Sequence, residues 1–510
     1  MYDVAFAGLA SAGVETLKTV LLWPDTSPRN ASSSIFEFTF RECQNYARTC
    51  QQLYLSVQLQ LPLSIRDGYE LIVDHGFAES VLCTAELRIG GKLIQTLYGD
   101  QLHMQSEFED TTLKRHRRNR RTGISIADAI RQPGGPGQGR RYYTELPFFF
   151  TVPPAQGMNL NNLCKAELRV RLRPMRELAR YVRTTGSTGS LNLEYHWGQE
   201  QYAQVKVLAV SRVDGWGNVD VPLPEKFQTV ARIAEPIHDE LSMRTLFPRG
   251  AKGDSLRLPI NRYSGKLSHI MWATREVVDA ALFNTGSDGG VSGGIKTLWG
   301  NTLCKDPTGS TNNPGPGFPV GPRHDFNSQR TGMKHLGTFA KHLTRRNKVM
   351  DYMTSEVYNI SPPVLRSHGD VRTYRSDGLM GSLAFPGDRH EYRACDADGN
   401  EIEPIAKMQY LIDGVRQIDN DVKGLKFRLM EARRHATAFP RKGIYLYSFA
   451  MAPFSGNHAG HLSHAPNSYH EIELTHANIH APTELIMYAV HYVLITVDGS
   501  SVCSSRPLNN

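Results

Sequence analysis

The chain has 510 residues, too long for one ordinary core, since chains beyond roughly 250–300 residues usually split into domains. Its hydrophobic fraction is 40%, with 44 Gly and 28 Pro, a composition that suits many short strands joined by many turns and argues against disorder along the whole chain. The net charge of +8 invites a nucleic-acid reading, but between Thr111 and Tyr142 there are nine basic residues against the single acid Asp128, and the remainder is neutral, so the basicity is one segment and not a surface-wide field.

From the beginning of the chain, Ala5 to Val14 is apolar but has no basic n-region and is soon interrupted by Glu15 and Lys18, so it does not read as a secretory signal. Leu9 to Leu22, ending before Trp23-Pro24, reads as an amphipathic helix packed under the first domain, with contact to an inner membrane or a neighbouring subunit as the sharper reading. No apolar run reaches the ~20 residues that a bilayer-spanning helix needs. The seven cysteines are odd in number, widely spaced and contain no CxxC, which predicts reduced thiols.

Strand patterns follow. Ile35 to Phe40 alternates, and from Gln51 to Leu61 the residues Leu53, Leu55, Val57, Leu59 and Leu61 share one face against Tyr54, Ser56, Gln58 and Gln60. Glu86 to Ile89 is a strand, Gly90-Gly91 a corner, Lys92 onward a second strand, and Tyr98-Gly99-Asp100 the start of a helix. The basic segment then supplies Lys114, Arg115, Arg117, Arg118, Arg120, Arg121, Arg140 and Arg141 as candidate interaction residues, with a Gly-rich tether from Gln132 to Gly139. A solvated loop or an acidic neighbouring surface is its first reading, genome phosphates or anionic lipid its second; without interleaved aromatics it gives no support to stacking on single strands. Cys164 to Arg173 is a strand, and Tyr202 to Val210 is the last strand of the first domain.

Residues 214–254 are rich in turn signals and read as a linker with a strand or helix turn inside it. Strand patterns resume at Ser255–Ile260 and Leu267–Ala273; residues 284–330, dense in Gly, Pro, Ser and Asn, read as a long loop. Further strands are expected at Met353–Ile360, Leu425–Met430, Gly443–Ala452, Tyr469–Thr475 and Leu485–Val497; both faces of the last are apolar, which marks an interior strand. No short-period repeat appears, but the halves are similar in kind.

In this order, several stretches resemble the double jelly-roll major capsid proteins of nucleocytoplasmic large DNA viruses and the related virophages and polinton-like viruses. They are Glu86–Ile89 with Gly90-Gly91 and Tyr98-Gly99-Asp100, the Leu146-Pro147-Phe148-Phe149-Phe150 strand, and the turn Gly157 to Leu163. In the second half they are Ile270-Met271-Trp272, Gly443-Ile444-Tyr445-Leu446-Tyr447-Ser448-Phe449 and Tyr488-Ala489-Val490-His491-Tyr492-Val493-Leu494. The resemblance implies an all-β chain of two consecutive eight-stranded antiparallel jelly-roll sandwiches with long inserted loops and short helices. Its parts would be an N-terminal arm at 1–33, a first jelly roll at 34–213, the linker, a second jelly roll at 255–500 and a tail at 501–510. It further implies a structural subunit and not an enzyme, with no cofactor, forming pseudo-hexagonal homotrimeric capsomers in an icosahedral virion capsid assembled in the host cytoplasm. Its partners would be itself, neighbouring capsomers, penton and minor capsid proteins and an inner viral membrane, with no sequence-specific nucleic acid.

The rival chemistry is histidine. His458, His461 and His464 have a spacing that could ligate a metal, and the run continues through His470 and His476 to His480, as in a cupin-like metal-binding or carbohydrate-binding jelly roll. No carboxylate lies inside the triplet and HExxH is absent, so polar histidines at a subunit contact, sensitive to pH, are the preferred reading. The string Gly290 to Gly294 has G-x-S-x-G form but lies in a Gly-rich loop without the strand and helix of a nucleophile elbow.

Overall fold

The computed structural model describes residues 16–25, 35–40, 49–59, 69–73, 77–110, 118, 141–151, 166–173, 179–183, 202–213, 226–237, 245–247, 255–260, 266–276, 394–395, 401–418, 423–438, 440, 443–454, 460–463, 468–477, 483–498 and 503–507. The expected strand at Met353–Ile360, the loop at 284–330 and the Gly290–Gly294 string lie outside these residues.

The first sandwich has two antiparallel sheets. One contains β1 (Thr16–Leu22), β10 (Tyr202–Val213), β3 (Thr49–Leu59) and β7 (Arg141–Glu145), in that spatial order. The other contains β2 (Ile35–Thr39), β8 (Ala166–Leu172), β5 (Leu82–Ile89) and β6 (Lys92–Tyr98). The alternation read from the sequence faces these sheets toward one another: Leu53, Leu55 and Val57 pack with Phe36, Phe38, Leu87, Leu168, Val170 and Val207 in one apolar cluster. A separate pair is formed by β4 (Tyr69–Val73) and β9 (Ala179–Arg183). Among the described residues this half also holds the short helix α1 (Phe77–Ser80) and the helix α2 (Gly99–Glu109).

The second sandwich repeats the plan. One sheet runs β11 (Lys226–Pro236), β22 (Thr483–Asp498), β14 (Lys266–Glu276) and β19 (Ile444–Ser448). Attached to it are β12 (Thr245–Phe247), β20 (Leu462–Ser463) and β23 (Cys503–Pro507). The facing sheet runs β13 (Ser255–Pro259), β21 (His470–His476), β17 (Ile405–Ile412) and β18 (Val415–Arg416). The short β15 (Ala394–Cys395) and β16 (Glu401–Ile402) pair with each other, and α3 (Gly424–His435) lies between β18 and β19 in the chain.

The two strand orders correspond position by position. β1-β10-β3-β7 matches β11-β22-β14-β19, and β2-β8-β5-β6 matches β13-β21-β17-β18. Smaller features match too. Gly90 and Gly91, with φ of 59° and 77°, turn β5 into β6; Asp413 and Gly414, with φ of 49° and 78°, turn β17 into β18. Both are two-residue hairpin turns with two left-handed residues, which suit the twist of the flanking strands. A helix follows each hairpin, and each helix begins at a glycine that cannot carry a side chain. A Cβ on Gly99 would lie 2.2 Å from the carbonyl oxygen of Leu82, the first residue of β5; one on Gly424 would lie 1.9 Å from that of Ile405, the first residue of β17.

Several expectations are corrected. The helix expected over Leu9–Leu22 is, from Thr16 on, the strand β1, paired along its length with β10 from Thr16 opposite Val213 to Leu22 opposite Val207. Its β-branched Thr16, Thr19 and Val20 favour the extended state once a partner edge is present. Leu425–Met430 is not a strand but the first part of α3, whose buried Gly424, Phe427 and Glu431 follow the helical repeat. Of the strand or helix turn expected inside the 214–254 segment, it is a strand that forms, the 11-residue β11, which pairs with β22 from Lys226 opposite Asp498 to Pro236 opposite Tyr488. The expected tail contains β23, paired with the same strand. Leu146–Phe150 is a buried turn and not a strand: Phe148 N donates to Leu146 O and Phe149 N to the Gln95 side chain.

Candidate functional site at the junction of the two sandwiches

β22 holds the two halves together. Its first part is flanked by β12 and β14 and its second by β11 and β23. Leu485, Met487 and Ala489 point into the second core beside Trp272 and Tyr445. Ile486, Tyr488 and Val490, on the opposite face, join Met271 and Ala273 of β14, Ile444 and Leu446 of β19, and Met104 and Phe108 of α2. Farther along, Val493 and Ile495, with Ala231 and Ile233 of β11, belong to the same apolar cluster as the first core. The two-sided apolar pattern of this strand thus has a specific cause: one face fills its own sandwich and the other is covered by a helix from the first.

The covering helix is held at both ends. At its start, the Arg173 guanidinium donates to the carbonyls of Ser80 (2.8 Å) and Leu82 (2.5 Å) and to Asp100 Oδ2 (3.1 Å), and Tyr98 packs its ring 5.4 Å from that of Tyr488. Asp100 also places a negative charge in the first turn, where the helix dipole favours it. At its end, the Phe108 ring stacks on Phe454 at 5.5 Å and 15°, and its carbonyl oxygen accepts hydrogen bonds from the backbone N–H of Thr437 (3.0 Å) and Ala438 (3.1 Å). Those two residues follow the C-cap residue of α3, Ala436, so the helices of the two sandwiches meet end to end. Phe454 also lies 5.0 Å from His269, whose Nδ1 faces Ser268 Oγ at 3.1 Å. Burial, reinforced by the positive Arg232 and by His435, holds the His269 pKa well below the usual range, so this ring sits neutral in the junction.

Behind α2 lies a buried ionic cluster. Arg118 donates through Nε to Glu79 Oε1 (2.7 Å), through Nη2 to Glu79 Oε2 (2.8 Å) and through Nη1 to Asp110 Oδ2 (3.2 Å); His103 Nδ1 is 2.8 Å from Glu79 Oε2. Burial acts to raise the Glu79 pKa, but Arg118 and His103 more than offset it and hold the carboxyl well below the usual carboxylate range. For Asp110 the balance is reversed: burial prevails over the longer contact with Arg118 and the pKa is raised. The bidentate contact therefore makes Glu79 the principal counter-ion. The second sandwich has a simpler counterpart, Arg428 of α3 to Glu403 just before β17, at 2.8 Å through Nε.

The candidate residues from the sequence fare differently. Arg118 is not part of a solvated interaction surface; it is 6% exposed and its charge is consumed by Glu79 and Asp110. Arg141 is exposed on β7 and donates to Gln58 Oε1 at 3.2 Å. Lys114, Arg115, Arg117, Arg120, Arg121 and Arg140 lie outside the described residues, as do His458, His464 and His480. His461 is half-buried; His470 is buried with Nδ1 2.5 Å from Tyr410 OH and Nε2 2.6 Å from Ser468 Oγ, so both ring nitrogens are already engaged. Among the described residues no group of three or more His, Cys, Asp or Glu is arranged to hold a metal. Phe454 at the junction and Glu79 and Asp110 in the ionic cluster carry no mark in the sequence, because each acquires its role from partners at least eight, and mostly many more, positions away.

Residues 46–208 match the family model described as "Major capsid protein N-terminus". The first sandwich is similar to a major capsid protein N-terminal domain. The resemblance drawn from the ordered motifs stands: the chain is similar to the double jelly-roll major capsid proteins. Solved capsid structures share the fold across the whole chain. PBCV-1 VP54, fitted into a reconstruction of the virophage Sputnik, aligns with a TM-score of 0.59 at 13% identity, covering 99% of each chain. A quasi-atomic model of the PBCV-1 virus capsid aligns at 0.58 and 13%, again over 99% of each. The Faustovirus major capsid protein aligns at 0.50 and 9%, over 97% of this chain and 92% of the other. No curated protein matches the sequence.

Proposed function

We propose that this major capsid protein builds pseudo-hexagonal homotrimeric capsomers that tile an icosahedral DNA-virus shell. The observation that carries the reading is the matched strand order of the two sandwiches. Two like units fixed side by side in one chain give rough two-fold similarity, and three chains around an axis then present six like units, the outline needed to tile a plane. Closed symmetry repeats one pair of patches three times. The junction supports this use, because a capsomer of six units needs the two units of each chain held in one orientation, and apolar packing, helix-end hydrogen bonds and a shared strand all serve that.

Neighbouring capsomers, penton and minor capsid proteins and an inner viral membrane are the partners this role calls for, with assembly in the host cytoplasm. No catalytic step is assigned to any residue. The engaged nitrogens of His470 disfavour a cupin-like use of the histidine run. The test is the solution mass by light scattering after size exclusion, with metal analysis on the same peak. Three times the 57.1 kDa chain mass without stoichiometric metal supports the capsomer; a metal-bearing single chain overturns it in favour of the jelly-roll enzyme.

A further inference from the structure

After β19 the chain turns through residues 449–454 and forms a short strap over the junction. At its start the backbone N–H groups of Phe449 and Ala450 donate to Ser268 O at 2.9 Å and 3.1 Å, and Ser448 Oγ donates to Ala450 O at 2.6 Å. At its end Arg232 of β11 donates to the carbonyls of Pro453 and Phe454. Between the two, His435 Nδ1 lies 3.0 Å from Met451 O, and the Met451 side chain is 83% exposed. The strap is therefore thin. Met451 meets solvent, and three residues on, the Phe454 ring packs against Phe108 of the first sandwich and His269 of the second.

His269 is the ionisable group in this packing. It is 2% exposed and shares its face of β14 with Met271 and Ala273. Its Nδ1 faces Ser268 Oγ, which in turn lies 3.4 Å from the Tyr492 hydroxyl of β22. Its Nε2 is buried with no hydrogen-bond partner among the described residues. The charged groups of the surrounding elements offer no counter-ion. Arg232 of β11 and His435 of α3 both act to keep the ring neutral. The carboxylates are engaged elsewhere: Glu431 of α3 lies 3.6 Å from His435 Nε2, and Glu235 of β11 lies 3.6 Å from His491 Nε2. On α2, Glu109 accepts from Gln105 and Glu107 acts on Arg118. A cation on His269 would thus be buried, unpaired and repelled by Arg232, a costly arrangement.

We infer that residues 449–454 are an acid-released strap: a proton on His269 displaces Phe454 and loosens the junction between the two sandwiches. Moving the strap brings water to Nε2 while leaving β14 paired with β22 and β19, so it relieves the charge at the lowest structural cost. The closed strap holds the ring neutral and the open strap lets it charge, so the open form binds the proton more tightly and linkage makes acid favour it. Histidine is the side chain whose ordinary titration lies between neutral and mildly acidic pH. Displacement takes the stacked ring from Phe108 and the two carbonyl acceptors from Arg232, so α2 loses part of its hold on the second sandwich. The two sandwiches, fixed in one orientation at neutral pH, gain freedom in acid. The device lies within one chain and does not depend on the capsomer reading.

Hydroxyl-radical labelling of the full-length chain between pH 8 and pH 5 tests this. In the wild type Phe108 and Phe454 are expected to be protected at pH 8 and to rise towards the labelling of the exposed Tyr469 as pH falls, while Phe38 in the first core stays protected. His269→Gln keeps a hydrogen-bonding side chain that cannot charge, and both rings should then stay protected down to pH 5. A wild type that stays protected at pH 5 overturns the inference. So does a His269→Gln variant that opens over the same range as the wild type, or a rise at Phe38 together with the other two. Should His269→Gln be open already at pH 8, hydrogen–deuterium exchange at the histidine C2 position of the wild type reads the titration of His269 directly. Opening that follows the protonation of His269 supports the strap, and opening at a pH where His269 does not titrate overturns it.

Discussion

Thr437 closes the end of the helix that carries Phe108. Its backbone N–H and its Oγ1 each lie 3.0 Å from the Phe108 carbonyl oxygen, although 329 residues separate the two in the chain. The last carbonyls of a helix have no partner inside it, and here the second sandwich supplies one. Phe108 therefore serves the junction twice, through its ring on Phe454 and through its backbone oxygen.

Phe108→Ala should be costly. Its ring is fully buried, and removing a buried aromatic costs about 3–5 kcal/mol through lost burial and the cavity left behind. Because the loss falls between the sandwiches, calorimetry should show one unfolding transition in the wild type broaden or split in the variant. A variant that melts like the wild type would show that the junction is not held by this residue.

Gly99→Ala and Gly424→Ala should each destabilise more than the same change on an exposed helix surface. The new methyl would meet backbone carbonyls at 2.2 Å and 1.9 Å, and backbone cannot swing aside as a side chain can. Overpacking of this kind costs roughly 1–3 kcal/mol or more. Denaturant midpoints at unchanged slope give the measure, and a gain in stability for either variant would contradict the close approach.

Arg118→Met should cost about 3–5 kcal/mol, because it leaves the buried Glu79 carboxylate without its main counter-ion. Adding Glu79→Gln should recover part of that loss, since the remaining group no longer carries a charge. Chemical denaturation of the single and double variants tests this; a double variant no better than Arg118→Met would show that the charge is not the cost.

Stability should fall in two stages as pH is lowered. Burial depresses His269, His491 and His470, the last two against the opposing pull of Glu235 and Asp413. A histidine whose folded pKa is depressed takes up its proton first in the unfolded chain. Stability is thus full above the unfolded value of about 6.5 and declines below it. Glu79, also depressed in the folded chain, contributes stability that is present above the unfolded carboxyl value of about 4.3 and is lost as pH falls through its lower folded value. Melting temperatures from pH 8 to pH 5 check the first stage, where a flat profile between pH 7 and pH 5 would contradict it; continuing the series well below pH 4 checks the second.

Much of the strand content was legible because period-two patterns survive in single stretches. In β3 Leu53, Leu55 and Val57 are buried as the sequence marks them, β8 buries its alternating residues, and the two apolar faces of β22 announce an interior strand. The glycine corner and the helix start at Gly99 were legible for the same local reason. The errors share a cause as well. β1, β11 and β23 are each extended through pairing with β10 or β22, strands distant in the chain for β1 and β11, and nothing local distinguishes a segment that will find such an edge from one that will not. α3 misled because Leu425, Phe427 and Leu429 alternate while the burial follows Phe427 and Glu431.

The sequence by itself determined the class of this protein: alternating apolar faces, hairpin turns and ordered motifs commit the chain to stacked antiparallel sheets, because such faces are stable only when a second layer covers them. The tertiary structure alone decided which segment covers which face. That Arg118 leaves the basic segment to neutralise Glu79, that Phe108 ends under Thr437, and that α2 finds its sheet while α3 keeps an apolar side in solvent are outcomes of long-range packing, in which burial is settled by whatever surface happens to fit and no local pattern encodes the partner.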